Sequence, residues 1–84
     1  MALPNQPVTL TIEQVEQLNR QLSTMRHDIN NQLSLIVAAV ELIRHKPELA
    51  MRMISTVAEQ PAKIGDALKK FSGEFEATLR ITRP

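Results

Sequence analysis

His27 and Asp28 are adjacent, and Asn31 follows one helical turn later, in the run R-H-D-I-N-N-Q-L at residues 26–33. A histidine is a nucleophile when one ring nitrogen is protonated and held and the other presents its lone pair. A neighbouring carboxylate such as Asp28 can hydrogen-bond one nitrogen and so fix the tautomer. An asparagine four residues on shares the helical face of the histidine. Its amide can orient a water or a phosphoryl oxygen. Arg26 offers positive charge to a phosphate. Each residue also has a plainer role, as solvated acid, tolerated amide or surface base, and a lone exposed mid-helix histidine is unremarkable. Their joint occurrence points to phosphoryl chemistry on the side of one helix, with no loop needed.

The elements that must hold this cluster are helical. The chain has 84 residues, no Cys, no Trp, no Tyr, two Phe and two Gly, and 43% hydrophobic content drawn from aliphatic residues. That supports one small all-α domain. Residues 1–10 contain Pro4 and Pro7 and little pattern, and read as a flexible tail. Thr11 followed by Gln14 makes a capping-box start. Apolar residues then recur at Ile12, Val15, Leu18, Leu22, Met25, Ile29, Leu33, Ile36, Val40 and Ile43. Steps of three and four predict one amphipathic helix, about 50 Å long at 1.5 Å per residue.

Arg44, His45 and Lys46 suit the negative end of the helix dipole, and Pro47 with Glu48 suits the first turn of a new helix. The short connection predicts an antiparallel helical hairpin. The second helix has its own stripe: Ala50, Ile54, Val57, Pro61, Ile64, Leu68, Phe71 and Phe75. From Ile54 this is an unbroken coiled-coil repeat. Pro61 lies on it and should bend the helix. The domain therefore spans 11–79, with Gly73 and residues 80–84 read as a fraying end. Two helices alone bury too little apolar surface to stand in water. The expectation is a homodimeric four-helix bundle closed by a two-fold axis; a hairpin docked on a different protein is the alternative.

With Leu22, Met25 and Ile29 in the core, His27 points away from it. Arg20, Ser23, Thr24, His27, Asn31 and Ser34 then form a polar strip on the outer face. The candidate catalytic residues are His27, Asp28 and Asn31, with Arg26, Ser23 and Ser34 as candidate phosphate or partner contacts. His45 beside Lys46 reads as a helix-end residue, and two histidines 18 positions apart without clustered acids make no metal site.

Charge and targeting features narrow the classes. Net charge is +1. Through Leu42, Arg20 and Arg26 face Glu13, Glu16, Asp28 and Glu41; from Ile43 onward eight Lys/Arg face five acids. No aromatics interleave with the bases, so a nucleic-acid surface is weakly supported. No signal-peptide pattern is present at the N-terminus, and the longest apolar run, residues 35–40, is too short to span a bilayer. Without cysteines, a cytoplasmic location is the simplest expectation.

The stretch from about Leu22 to Ile64 resembles the dimerisation and histidine-phosphotransfer domain of sensor histidine kinases. R-H-D-I-N-N-Q-L followed by S-L-I-V-A-A-V-E-L-I is similar to that family's H-box. Arg-His-Asp, the Asn at the fourth position after His and the Leu two residues later also resemble the sporulation phosphotransferase B type. The resemblance implies that His27 is the phosphoacceptor, that Asp28 is its activating acid, and that Asn31 positions water during dephosphorylation of a response regulator. Two departures stand out. Gln32 occupies a position where many sensor kinases carry a helix-bending Pro. No Gly-rich phosphate loop occurs anywhere, so a complete kinase is not expected.

Three function classes follow. The first is a stand-alone phosphotransfer protein of two-component signalling, exchanging a phosphoryl group between His27 and the aspartate of a response-regulator receiver domain. It needs no cofactor of its own, because Mg²⁺ is expected on the receiver, and a separate histidine-kinase ATPase subunit is a further potential partner. The second is a non-catalytic adaptor or inhibitor docking on a receiver or histidine kinase. The third is a plain oligomerisation module. The sequence leaves open the direction of phosphoryl flow and whether His27 is served in cis or in trans.

Overall fold

The computed structural model describes residues 2–80. Two long α-helices dominate: α1 (Ile12–His45) and α2 (Ala50–Leu79), joined through Lys46 and a 3₁₀ turn at Pro47–Leu49. Thr11 caps α1 as the sequence predicts. Its hydroxyl accepts from the Gln14 N–H at 3.1 Å, and its own N–H donates to Gln14 Oε1 at 2.8 Å. Two of the orphan donors at the helix start are thus satisfied. At the other end the Lys46 N–H donates to the Leu42 carbonyl at 2.7 Å. Lys46 then leaves helical geometry, at φ −136° and ψ 78°. Pro47 follows, disfavouring a helical residue before it and opening the 3₁₀ turn.

End to end, helices of 34 and 30 residues would extend about 96 Å; the molecule is 58 Å long. The second helix therefore lies back alongside the first. Counting outward from Lys46 gives the register. Gln21 lies 25 residues before it and Phe71 25 after; Met25 lies 21 before and Ala67 21 after. All four line one groove between the helices.

The sequence-derived stripes divide in two. On α1, Leu18, Leu22, Met25, Ile29, Ile36 and Ile43 are half-buried, whereas Ile12, Val15, Leu33 and Val40 are exposed. On α2, Ala50, Val57, Ile64 and Phe71 are half-buried, while Ile54, Pro61, Leu68 and Phe75 are exposed. The other half-buried or buried helix positions belong to residues outside the stripes: Gln21, Gln32 and Ala39 on α1, and Met53, Thr56, Gln60, Gly65, Ala67, Glu76, Thr78 and Leu79 on α2. Among the described residues only Ala39 and Gln60 are fully buried. The physical reason is angular. A helix packed against one neighbour covers one flank of its apolar face, and the other flank stays open until a further element covers it.

Gln60 sits just before Pro61, whose missing N–H leaves the helix one backbone donor short. The Gln60 amide Nε2 donates to the Thr56 carbonyl at 2.6 Å, turning the side chain back along its own helix. Helix α2 is continuous through Pro61 and through Gly73, so the fraying expected from Gly73 does not occur. It ends at Arg80, in the left-handed region at φ 58° and ψ 39°. The rest of the 80–84 segment lies outside the described residues. In the tail, Pro4, Asn5, Gln6, Pro7 and Val8 share a shallow groove with Arg80, which sets the tail against the end of α2. No helix among the described residues is long and apolar enough to cross a membrane.

Candidate functional site

Helix α1 presents His27 from its middle, 15 residues after its first residue and 18 before its last. Neither helix end is within reach, so the backbone at this level is fully paired within the helix and offers no free N–H or C=O. Chemistry here must come from side chains. Ser23, Thr24, Arg26, His27, Asp28, Asn31 and Ser34 are all exposed, as is Arg20, whereas Leu22, Met25 and Ile29 are half-buried against α2. The polar strip and its inward counterpart therefore fall where the helical period predicts.

His27 and Asn31 are one turn apart on a continuous helix and share the outer face. Asp28 is placed differently. Consecutive side chains on an α-helix diverge by about 100°, and among the described residues no hydrogen bond or ion pair joins Asp28 to His27. The aspartate instead lines a groove of about 360 Å³ between α1 and α2. Its floor is apolar, from Met25, Ala67 and Phe71, and its walls carry Arg20, Thr24, Lys70 and Glu74. Arg20 is fixed there by donating from Nη2 to Gln17 Oε1 at 2.8 Å. The sequence reading of Asp28 as a direct hydrogen-bond partner of the imidazole is therefore not what the geometry provides. The carboxylate supplies negative charge one position along, on the side that faces α2.

Lys70, Phe71 and Glu74 had not been singled out as site residues. The signal that finds them is the equal count outward from Lys46, which brings the 67–74 stretch of α2 level with 17–28 of α1. His45 lies at the far end of α1 and takes no part. Its Nε2 is 3.5 Å from Glu41 Oε2, and Arg44 Nη1 is 3.1 Å from Glu41 Oε1, an exposed helix-end cluster. Among the described residues no group of three or more His, Cys, Asp or Glu side chains is placed to hold a metal ion.

The arrangement can do one thing well: present an imidazole and an amide together on a firm convex surface, with an acid beside them. His27 lines neither of the two grooves described above and stands on open helix surface. Comparison with protein-family models, with curated proteins and with solved structures gives no match.

Proposed function

We propose that this chain is a dimeric histidine phosphotransfer protein of two-component signalling, acting in the cytoplasm. Its phosphoacceptor is His27, and its partner is the receiver domain of a response regulator. The observation that carries the reading is the exposed pair His27 and Asn31 on the outer face of a two-helix unit whose opposite flank is apolar and uncovered. In the transfer, a ring nitrogen of His27 attacks the phosphorus of an aspartyl phosphate. The N–P bond forms, the P–O bond to the aspartate breaks, and the carboxylate is regenerated. The second ring nitrogen then gives up its proton to solvent; the Asp28 charge acts earlier, stabilising the positive charge that builds on the ring as the N–P bond forms. The transition state disperses charge over phosphoryl oxygens, and catalysis is mostly positioning; Mg²⁺ belongs to the receiver. Arg26, Ser23 and Ser34 surround His27 as contacts for the phosphoryl group or the receiver.

A docking surface accompanies this reading. Asn31, Leu35, Ala38 and Leu42 follow in steps of four, three and four and continue the strip toward the turn. Leu35 and Leu42 are both exposed, and α2 does not cover them. Such a patch of leucines below a reactive polar pair suits a partner that must be held while a group is passed.

The dimer rests on area. The chain exposes 6583 Å², against about 5,000 Å² for a folded monomer of this mass. The excess of roughly 1,500 Å² per copy is of the size that obligate dimers bury. An antiparallel hairpin pairing with its copy into a four-helix bundle would remove it. Sedimentation equilibrium at micromolar concentration should return twice the chain mass; a folded, helical monomer would exclude the dimer.

Asn31→Ala separates two steps. An amide orients water but is no nucleophile. The variant should accept a phosphoryl group at His27 within about twofold of the parent rate, while any stimulated hydrolysis of a phosphorylated receiver falls at least tenfold, a loss of about 1.4 kcal/mol of transition-state stabilisation. Equal losses in both assays would assign Asn31 to docking.

One observation favours a second reading, a non-catalytic helical adaptor or inhibitor of a receiver or histidine kinase: Asp28 makes no contact with His27. In that case the same surface binds and no phosphate appears on the chain, and transfer assays separate the two.

A further inference from the structure

The seam between the two helices carries polar side chains that its apolar neighbours do not satisfy. Among the described residues, three buried side-chain oxygens have no hydrogen-bond partner: Oε1 of Gln21, of Gln32 and of Gln60. Gln60 is 1% exposed and is the largest fully buried side chain among the described residues. An amide oxygen buried without a donor lowers a folding equilibrium constant by about fivefold or more.

Gln32 lies 14 residues before Lys46 and Gln60 lies 14 after. Equal counts bring residues together elsewhere on this hairpin: Gln21 and Phe71, at 25, and Met25 and Ala67, at 21, line one groove. Packed helices stand about 8–10 Å apart, a gap that two facing glutamine side chains bridge. The neighbours then decide how each amide is turned. Gln60 Nε2 is engaged, donating to the Thr56 carbonyl at 2.6 Å, which leaves Oε1 as the free end of that side chain. Of the two amide atoms of Gln32, the oxygen is buried without a partner and the nitrogen is not. Turning the Gln32 amide over exchanges oxygen and nitrogen in nearly the same space. The exchange gives Gln60 Oε1 a donor and takes the Gln32 oxygen out of the seam.

We propose that Gln32 Nε2 donates to Gln60 Oε1 across the seam, and that this buried amide pair fixes the register of α2 on α1 next to the candidate site. A polar pair inside an apolar helix seam is an attested means of setting register. The neighbours on either side make the choice sharp. If α2 slid by one turn, Gln60 would meet Ile29 or Ile36, and Gln32 would meet Val57 or Ile64. All four are apolar, so each amide would be buried with nothing to bond. Isoleucine and valine alone tolerate such a slide, because they pack on one another at either level. Pro61 adds to the need. It deprives the Val57 carbonyl of its helical donor, so the backbone of α2 is least braced beside Gln60. Register matters to the site because Gln32 follows Asn31 directly, and because Asp28 lines a groove whose other wall holds Lys70 and Glu74. The pairing needs only the two packed helices and holds whether or not His27 carries phosphate.

Three measurements on the full chain test this. In the unaltered protein, NMR should show the side-chain amide protons of Gln32 exchanging with solvent at least about tenfold more slowly than those of exposed Gln6. Exchange as fast as at Gln6 would overturn the pair without any variant having to fold. Next, Gln32→Leu, Gln60→Leu and the double variant are unfolded in urea at one fixed chain concentration. Each single change removes one partner and strands the other; the double change strands neither. Its folding equilibrium constant should exceed the sum of the two single losses by at least about fivefold, and additive losses would overturn the pair. Last, the chain has no cysteine, so Asn30→Cys with Lys63→Cys accepts two spin labels on exposed positions of facing levels. Diluted into unlabelled chain, the labelled protein should show one separation. The double leucine variant should add a second, from α2 displaced by about one 5.4 Å turn. A double variant that keeps the single separation overturns the register role and leaves the hydrogen bond standing.

Discussion

Ile64→Asp should leave the chain largely unfolded at micromolar concentration. Ile64 lies on the half-buried flank of α2 that faces α1, between Val57 and Phe71 in the same row. The substitution removes a branched, half-buried side chain from the apolar seam between α1 and α2 and puts a carboxylate in its place. Loss of the apolar contact and the desolvation of the charge together cost about 3 kcal/mol per chain, and a symmetric dimer carries the change twice. A domain of this length has only about 4–12 kcal/mol of stability in total. Circular dichroism should show the helical signal collapse, with dimer mass lost in parallel. Ser55→Asp, on the exposed outer side of the same helix, should stay within about 0.5 kcal/mol of the parent. If Ile64→Asp melts with the parent, the packing of α2 on α1 is wrong.

His27→Gln should abolish phosphorylation without disturbing the fold. Glutamine is a good helix former and polar, and His27 is exposed, with no hydrogen bond among the described residues to lose. The melting curve and dimer mass should match the parent. The imidazole is the one nucleophile of the strip that forms an acid-labile, base-stable phosphoryl bond; the hydroxyls of Ser23, Thr24 and Ser34 form acid-stable esters. Loss of labelling should therefore be complete, at least a thousandfold, which corresponds to about 4 kcal/mol in transition-state terms. A variant that still labels would move the phosphoacceptor to another residue, and His45 would be the next to replace.

Much of the fold was legible in the residues. Thr11 with Gln14 marked the start of α1, and Lys46 with Pro47 marked its end, because both are local devices that depend on a few neighbouring backbone groups. The exposure of His27 and the inward turn of Ile29 followed from the helical period alone. The roles of individual stripe residues were not legible. The repeat showed which residues are apolar, but not which flank meets α2, since that depends on the angle at which two helices lie together. So Leu68 and Phe75 are exposed where the repeat placed them on the seam, and Gln60 is buried where it placed nothing. The Gln60 side chain is tied back along its own helix to the Thr56 carbonyl, a local bond that a hydropathy pattern does not register. Gly73 likewise misled, because continuous pairing on both sides carries the helix through it. At the site, adjacency in sequence suggested a His27–Asp28 hydrogen bond, and the 100° between consecutive side chains removed it. The groove residues Lys70 and Glu74 needed the inter-helix register before they could be seen at all.

The most direct test of phosphoryl transfer through His27 is a labelling measurement on the purified chain. Receivers from the host are phosphorylated with a radioactive small-molecule donor, freed of it and mixed with the chain in Mg²⁺ buffer. The chain should acquire label that is lost in acid and kept in base, that maps to the peptide containing His27, and that is missing from His27→Gln. With Mg-ATP alone it should acquire none, since the 84 residues contain no nucleotide-binding motif. Receivers that bind the chain tightly while its His27 stays unlabelled, across the full set, would contradict the account and leave a silent adaptor in its place.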